Sequence, residues 1–236
     1  MKTKYILFGI FLTTFIASCN NCMKGSGVVV TSIRPTAPFT DVVSNGDFNV
    51  YLTQSSAHEV KIITDDNIVP YVETHVNNGV LTLSFKDNTN IRRIDRLDIY
   101  VSAPIIGRVN LEGSGNIQST NRLKSIALTL IMNGSGKMHI EDSCANASVQ
   151  LRGSGSIVLN GQAETQTISL SGSGSISASD FITKNADVHL SGSGSATIYA
   201  TQNVYANLSG SGSIAYYGHP ALVNVDRSGS GSVQGR

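Results

Sequence analysis

The residues that most clearly carry chemistry are serines placed around a recurring Gly-Ser-Gly motif. Each of the last four copies has three serines spaced two residues apart, and nine of these serines form the predicted serine face: Ser171, Ser173, Ser175, Ser191, Ser193, Ser195, Ser209, Ser211 and Ser213. A hydroxyl offers one donor and two acceptors, and stacked strands would repeat the hydroxyls about every 4.8 Å. Such a face could bind an extended polar polymer such as a glycan, although it lacks the aromatic side chains that stack on sugars. The alternatives are a face that serves only solubility and a face that packs against another copy of the chain.

Catalytic chemistry has weaker support. A polysaccharide-active enzyme needs clustered carboxylates, but Glu141, Asp142, Glu164 and Asp180 fall near the ends of the predicted coils, where solvated loop charges are expected. The Gly-x-Ser-x-Gly elbow of serine hydrolases does not occur in the sequence. The histidines stand at unrelated positions: His58, His75, His139, His189 and His219. We therefore predict no catalytic residue, no metal site and no cofactor.

The first residues read as an export signal. A basic start is followed by an apolar run over residues 5–17, which ends in Ile16-Ala17-Ser18-Cys19. The run is too short to span a bilayer core of about 30 Å, but it suits a signal peptide. Its ending resembles a bacterial lipobox, which implies cleavage before Cys19 and lipid on that thiol; an ordinary signal peptide with a nearby cysteine is the alternative. We predict a signal peptide over residues 1–18 and a lipid-anchored tether over residues 19–27, in the cell envelope.

The two other cysteines are Cys22, in the tether, and Cys144, in the repeat region. An oxidising compartment would allow them to form a disulfide. Nothing in the sequence fixes the distance between them, so pairing and two unpaired thiols both remain open.

The composition excludes several classes of protein. Glycine provides 23 of 236 residues and charged residues only 14%, against typical shares of about 7% and about 25%. Hydrophobic residues at 40% argue against a disordered polar chain, and five prolines without a Gly-X-Y period argue against collagen. The formal net charge of +1 gives no support for a nucleic-acid partner.

The spacing of the motif predicts the fold. The last seven of eight copies recur every 18 to 21 residues, and their first glycines are Gly113, Gly134, Gly153, Gly172, Gly192, Gly210 and Gly229. Apolar residues stand four positions before and four positions after these glycines, and two positions before all of them except Gly229, where Arg227 stands instead, as in a strand with one buried face. The pattern predicts an all-β solenoid with coils of about 20 residues, in which both glycines point inward and the serine points outward. It leaves open whether the motif is a corner or part of a flat strand.

Residues 28–105 lack the motif but also contain strand-like runs. Examples are the runs at residues 48–52 and 97–101, and turn signals such as Asn77-Asn78-Gly79 separate such runs. We predict irregular coils over residues 28–105 that continue into regular coils over residues 106–236, as one β-helix domain.

Several motifs carry a family resemblance. They are Phe39-x-x-Val42, Gly46-x-Phe48-x-Val50, Gly79-x-Leu81-x-Leu83 and the repeated Leu-x-Gly-Ser-Gly-Ser-Ile units. On these motifs, residues 39–236 resemble the bacterial envelope family called putative auto-transporter adhesin, head GIN domain. The resemblance implies a right-handed parallel β-helix in a lipoprotein of the Bacteroidetes type, and it brings no catalytic pattern.

These observations favour a non-enzymatic adhesion or binding module whose ligand the sequence does not identify; a glycan or another cell-surface polymer is the candidate partner. The alternatives are a structural spacer that assembles into a homo-oligomer and, third, a polysaccharide-active enzyme. We expect a lipid anchor in the outer membrane. The residues after Cys19 carry no acidic cluster, which favours the periplasmic face over the surface.

Overall fold

The computed structural model describes residues 23–94 and 96–236, and in these ranges the protein is built of β-strands with one short 3₁₀ turn, Val69–Tyr71. The predicted signal peptide, Cys19 and Cys22 lie outside the described residues. The strands in chain order are β1 (Met23–Lys24), β2 (Val29–Arg34), β3 (Asp41–Asn45), β4 (Asn49–Gln54), β5 (Glu59–Asp65), β6 (Val72–Asn77), β7 (Val80–Phe85), β8 (Ile91–Arg93), β9 (Leu97–Ala103), β10 (Arg108–Gly113), β11 (Asn116–Ser119), β12 (Leu123–Lys124), β13 (Ala127–Gly134), β14 (Lys137–Ser143), β15 (Asn146–Gly153), β16 (Ser156–Gln162), β17 (Thr165–Gly172), β18 (Ser175–Gly192), β19 (Ser195–Gly210), β20 (Ser213–Tyr217), β21 (Leu222–Ser228) and β22 (Ser232–Gly235).

The strands stack as a parallel β-helix, which confirms the predicted fold class. Each regular coil has one strand before the Gly-Ser-Gly motif and one after it, as in β13 and β14 or in β15 and β16. Strands before the motif pair in parallel with each other and form wall 1, while strands after the motif pair in parallel and form wall 2. In this register, equivalent residues of successive coils pair with each other, so that Gly134 pairs with Gly153 and Gly153 pairs with Gly172.

A single core runs between the two walls. Most of the apolar positions predicted from the motif are buried, and those two residues before the first glycine include Leu151, Leu170, Leu190 and Leu208, whereas Val225, before the last motif, is exposed. Gln166, which breaks the apolar pattern in sequence, is also buried, and neither of its side-chain polar atoms has a hydrogen-bond partner. A coil alone cannot cover its inner face, so the hydrophobic stabilisation of the rod comes from stacking.

The Gly-Ser-Gly motif is a corner between the two walls. Wall 1 strands such as β15 end at the first glycine, and wall 2 strands such as β16 begin just after the second. The first glycine has a positive φ in every regular coil, for example 128° at Gly153 and 120° at Gly172. Side chains disfavour that backbone conformation, so glycine is needed at the bend. The first glycine is half-buried in five of the seven copies and exposed at Gly113 and Gly229, whereas the second is buried in all seven, which refines the expectation that both point inward.

The corners of successive coils are bonded through the backbone. The carbonyl of Gly153 accepts hydrogen bonds from the amides of Ser173 at 3.1 Å and Gly174 at 3.0 Å, and the carbonyl of Gly155 accepts one from Ser175 at 3.0 Å. The same pattern recurs at the neighbouring corners. The corner therefore continues the ladder of hydrogen bonds instead of interrupting it.

Residues 28–105 differ from the expected irregular coils. Strands β3 and β4 form one coil next to β10 and β11, and β7 and β9 stack on the other side of that coil. Beyond them the pairing is antiparallel: β6 pairs with β7, β5 with β9 and β2 with β5. Asn78 and Gly79 both have positive φ, so they form the tight hairpin that returns β7 along β6. The expected coils are thus limited to β3–β4 and β7–β9, and antiparallel strands cover this end of the rod.

The part of the predicted lipid-anchored tether that the structure describes, from Met23 onward, is attached to the rod. The Met23 amide donates to the Asn90 carbonyl at 2.8 Å, and the Gly27 amide donates to Asp65 Oδ1 at 2.7 Å. Asn67 accepts from the Ser26 amide and donates to the Lys24 carbonyl. The Gly-Ser-Gly copy at Gly25 is therefore part of a clasp, defined as residues 23–27, rather than a coil corner.

Candidate binding groove

A shallow groove of about 370 Å³ runs along the corner of the rod from coil to coil. Its lining consists only of serine, glycine and one lysine: Ser135, Gly136, Lys137, Ser154, Gly155, Ser156, Ser173, Gly174, Ser175, Ser193, Gly194, Ser195, Ser211, Gly212, Ser213, Ser230, Gly231 and Ser232. The second glycine of each motif along the groove lies in the lining between the serines. We call this feature the serine groove.

The corner divides the predicted serine face. The serine groove contains six of the nine predicted residues: Ser173, Ser175, Ser193, Ser195, Ser211 and Ser213. Ser171, Ser191 and Ser209 precede the first glycine and stand exposed on wall 1, outside the groove lining. The positive φ of the first glycine turns the chain between the two sets of serines, so they lie on different sides of the corner.

The hydroxyls in the groove are stacked in register. Ser175 Oγ donates to Ser156 Oγ at 3.2 Å, and Ser211 Oγ lies 3.1 Å from Ser230 Oγ. The backbone amides of Ser173, Gly174 and Ser175 already bond to the preceding coil. The hydroxyls, rather than the backbone amides, are therefore the donors that this surface offers to a ligand.

The residues that follow the second glycine in successive coils pair with one another and form a row, or ladder, that extends beyond the groove. Strand pairing connects Ser175 through Ser156 to Lys137, then to Asn116, Asn49 and Asp98. Asn116 Nδ2 donates to Asn49 Oδ1 at 2.9 Å, and Asn49 Nδ2 donates to Asp98 Oδ1 at 3.3 Å. Sequence reasoning missed this extension, because Asn49 and Asp98 are 49 residues apart and only their strand pairing brings them together.

Two tyrosines on wall 2 do not add a free aromatic surface. The rings of Tyr51 and Tyr100 stack with their centroids 4.7 Å apart, and Lys61 Nζ lies 4.6 Å from the centroid of Tyr100. On the next strand, Gln118 pairs with Tyr51. The ring faces are used within the sheet, so the stack stabilises neighbouring strands.

The carboxylates considered for catalysis lie outside the lining of the serine groove. Glu141 is paired with Arg122 at 2.6 Å and Glu164 with Lys184 at 2.6 Å, and these side chains are largely exposed. Asp180 lines a separate shallow depression with Glu141. Within residues 23–94 and 96–236, no three His, Cys, Asp or Glu side chains come together as a metal site would require.

The histidines also occupy separate environments. His58 packs edge-on against Phe39, His189 lies 3.1 Å from Asp187, and His139 hydrogen-bonds Asn160. His75 lies near Glu73 and His219 lies in the loop before β21.

Asp142 and Cys144 lie on the opposite turn of the coil, where β14 ends. Asp142 is fully buried, and burial raises the pKa of its carboxyl; Ser125 Oγ donates to Asp142 Oδ2 at 3.0 Å, while Oδ1 has no partner. Burial, together with the Asp142 charge, raises the pKa of the Cys144 thiol to about 12. A thiol with that pKa is almost fully protonated at neutral pH and is therefore a poor nucleophile.

Within the described ranges, the structure holds no helix with the length and apolar character needed to cross a membrane.

One family model and several solved structures are similar to the chain. A model of the family described as putative auto-transporter adhesin, head GIN domain, matches residues 38–220. No curated protein matches the sequence. A crystal structure of a putative adhesin from Bacteroides fragilis is similar with a TM-score of 0.87 at 25% identity, over 91% of this chain and 100% of that chain.

Two further crystal structures are similar. A putative adhesin from Parabacteroides merdae gives a TM-score of 0.72 at 25% identity, over 91% of this chain and 98% of that chain. A putative lipid binding protein from Parabacteroides distasonis gives a TM-score of 0.76 at 24% identity, over 92% of this chain and 100% of that chain. At this level of identity, the similarity shows the fold alone. With the family model covering most of its length, the chain belongs to the putative auto-transporter adhesin, head GIN domain family.

Proposed function

We propose that the protein is a non-enzymatic adhesion module of the cell envelope and that it binds an extended polar polymer, such as a glycan, along the serine groove. The observation that carries the proposal is the groove itself, a continuous surface of in-register hydroxyls along the corner. The groove lining includes no carboxylate and no histidine, which are the groups that general acid-base hydrolysis of a glycan uses.

The geometry suits a ligand that repeats. Successive coils present equivalent hydroxyls about 4.8 Å apart along the rod. A neutral hydrogen bond contributes only about 0.5–1.5 kcal/mol, so one coil would bind a ligand weakly. Several coils in line would add such contributions along a polymer, and the affinity would then depend on polymer length.

The family and its adhesin relatives support a place in the cell envelope or at the cell surface. We further propose that lipid on Cys19 anchors the chain to the outer membrane, because the segment before it reads as a lipoprotein signal. The relative described as a putative lipid binding protein makes lipids a second class of molecule to include among the ligands tested.

A glycan array tests the proposal on the chain without its signal peptide and with Cys19→Ala. The triple variant Ser173→Lys, Ser193→Lys and Ser211→Lys places long charged side chains in the serine groove and should abolish the array signal. The matched control, Ser171→Lys, Ser191→Lys and Ser209→Lys, makes the same charge change on wall 1 and should retain it. Binding that survives in the groove variant, or no glycan binding by the native chain, contradicts the proposal.

A second candidate function is self-association, supported by β21. This strand is exposed along its whole length, including Leu222, Val223 and Val225. Exposed apolar strand edges favour pairing with another chain. Sedimentation of the native chain and of Val225→Lys tests it: a native oligomer that the variant dissociates supports assembly, whereas a native monomer contradicts it.

A further inference from the structure

A second cavity lies on the same corner as the serine groove, at the end of the rod that the antiparallel strands cover. It has a volume of about 340 Å³ and is lined by Asp47, Asn49, Phe85, Ile91, Arg92, Ile94, Arg96, Leu97 and Asp98. We call it the cap pocket. Its lining differs from that of the groove, because four of the nine residues are large and apolar.

The cap pocket exists because the corner is built differently in these two coils. In the coil of β3 and β4, Phe48 occupies the position that the second glycine holds in the regular coils, and its ring lies 4.7 Å from that of Phe85. In the next coil, a longer segment that carries β8 replaces the short glycine turn between β7 and β9. This segment supplies Ile91 and Ile94, which are only partly buried and pack against the core.

The cap pocket and the serine groove are joined by one ladder of residues. Asn49 and Asp98 line the pocket, Lys137 and Ser156 line the groove, and Asn116 lies between Asn49 and Lys137 in the strand register. At about 4.8 Å per step, only some 10 Å of rod separates Asn49 from Lys137. A single elongated ligand could therefore contact both cavities.

The charges within the cap pocket are largely compensated. Arg96 Nε lies 2.6 Å from Asp98 Oδ2, and Asp98 also accepts a hydrogen bond from Asn49. Arg92 and Asp47, both exposed at the rim, have opposite charges. The feature that remains for binding is the apolar wall of Phe85, Ile91 and Ile94, which a ligand would cover favourably.

From these features we infer that the ligand is amphipathic, with a polar glycan chain in the serine groove and an alkyl or acyl group in the cap pocket. The inference rests on the proposed function of the groove and adds the apolar group that the ligand carries. The ligand class is thus a glycan with a lipid-like end group, rather than an unmodified polysaccharide.

Alkyl maltosides with a constant sugar and alkyl chains of increasing length, used below their micelle concentrations, test the inference. Displacement of the fluorescent probe 1-anilinonaphthalene-8-sulfonate from the Cys19→Ala chain reports binding. We expect the affinity to rise about threefold to fourfold for each added methylene until the pocket is filled, and maltose alone should compete least.

Two variants with a matched control locate the effect. Ile94→Asp should remove the dependence on chain length by making the pocket wall polar, and Ile94→Trp should remove it by filling the pocket. The control Ile126→Asp also replaces an isoleucine by aspartate, but Ile126 is 85% exposed and lies outside both cavities. The control should therefore bind the maltosides as the native chain does. Circular dichroism establishes that the variants are folded.

An affinity that is independent of alkyl length overturns the inference, as does a dependence that survives in Ile94→Asp and in Ile94→Trp. A chain-length effect that requires Ile94, combined with a sugar contribution that the groove triple variant leaves unchanged, also overturns it, because the two cavities would then act separately. If the glycan-array signal still requires the groove serines in any of these cases, the proposed function stands without the apolar group.

Discussion

A Cβ atom placed on Gly174 would lie 2.8 Å from Cδ2 of Leu151, the inward leucine of the preceding coil. It would also lie 2.6 Å from the carbonyl oxygen of Gly155. The same relationship recurs along the rod, for example between Gly194 and Leu170 at 2.8 Å. The second glycine of each motif thus provides the space into which a core leucine of the neighbouring coil packs, and the glycine is a requirement of packing rather than a sign of flexibility.

Substitutions at one corner should separate packing from backbone strain. Gly174→Ala should cost about 1–3 kcal/mol of unfolding free energy through overpacking. Gly172→Ala should cost more, because its φ of 120° is unfavourable for alanine and its Cβ would meet the Gly153 carbonyl oxygen at 2.5 Å. The measurement is the midpoint of chemical denaturation. Ser173→Ala is the control in the same motif and should change the stability by no more than about 0.5 kcal/mol; equal effects at all three positions would refute the packing account.

The clasp should protect Lys24 from trypsin. Asn67→Ala removes the bonds that Asn67 makes with the Ser26 amide and the Lys24 carbonyl, so residues 23–27 should open more often. The variant loses two hydrogen bonds that each contribute about 1 kcal/mol, and water replaces part of that loss. We therefore expect cleavage after Lys24 to become roughly tenfold faster. Mass spectrometry of a proteolysis time course measures the rate. Asp226→Ala, in exposed β21, should cleave at the native rate, and equal rates in Asn67→Ala and the native chain would show that the clasp is not formed in solution.

Asp142 should make the stability depend on pH in a defined direction. Burial raises the pKa of its carboxyl in the folded chain, so the ionised form opposes folding in full above that pKa; the penalty shrinks as the pH falls below it and is gone below the ordinary carboxyl pKa. Asp142→Asn removes this penalty and should therefore be more stable than the native chain at pH 7. The difference should shrink as the pH is lowered toward the ordinary carboxyl range. Urea titrations at several pH values measure it, and a difference that does not vary with pH would argue against the ionisation of Asp142 as the cause.

Cys144 should react slowly with thiol reagents while the chain is folded. A pKa of about 12, compared with 9.0 for a free thiol, lowers the thiolate population at pH 8 on the order of a thousandfold. We expect alkylation by iodoacetamide to be at least about a hundredfold slower in the native chain than in the urea-unfolded chain. Quantifying the modified Cys144 peptide by mass spectrometry measures both rates. Similar rates in the two states would show that the thiol is neither buried nor kept protonated.

The sequence predicted the regular part of the rod well, since each coil repeats the same apolar positions and the register follows from the motif. The buried leucines at Leu151, Leu170 and Leu190 are where the alternation placed them. The corner could not be decided from the pattern, because an extended strand and a bend at Gly172 share the same alternation and differ in backbone φ.

The antiparallel end of the rod and the row from Asn116 to Asp98 could not be predicted from the repeat pattern. The pairing of β5 with β9 and of β4 with β9 depends on contacts between distant, non-repeating segments. No period aligns Asn49 with Asp98, so the ladder that leads to the cap pocket emerges only from the fold. Within the predicted serine face, the corner separates Ser171 from Ser173, and the alternation alone could not show this.

Because equivalent corner residues of successive coils pair with each other, the rod can be lengthened or shortened by whole coils. Removing residues 154–172 would join Gly153 directly to Ser173 and Gly174 and would restore an intact Gly-Ser-Gly corner with one coil fewer. Because each coil contacts only its neighbours, such a deletion creates no new type of contact. Duplication or loss of single repeats would thus lengthen or shorten the row of hydroxyls by steps of about 4.8 Å. The length of the serine groove can therefore change during evolution by whole coils, while the packing of the core stays the same.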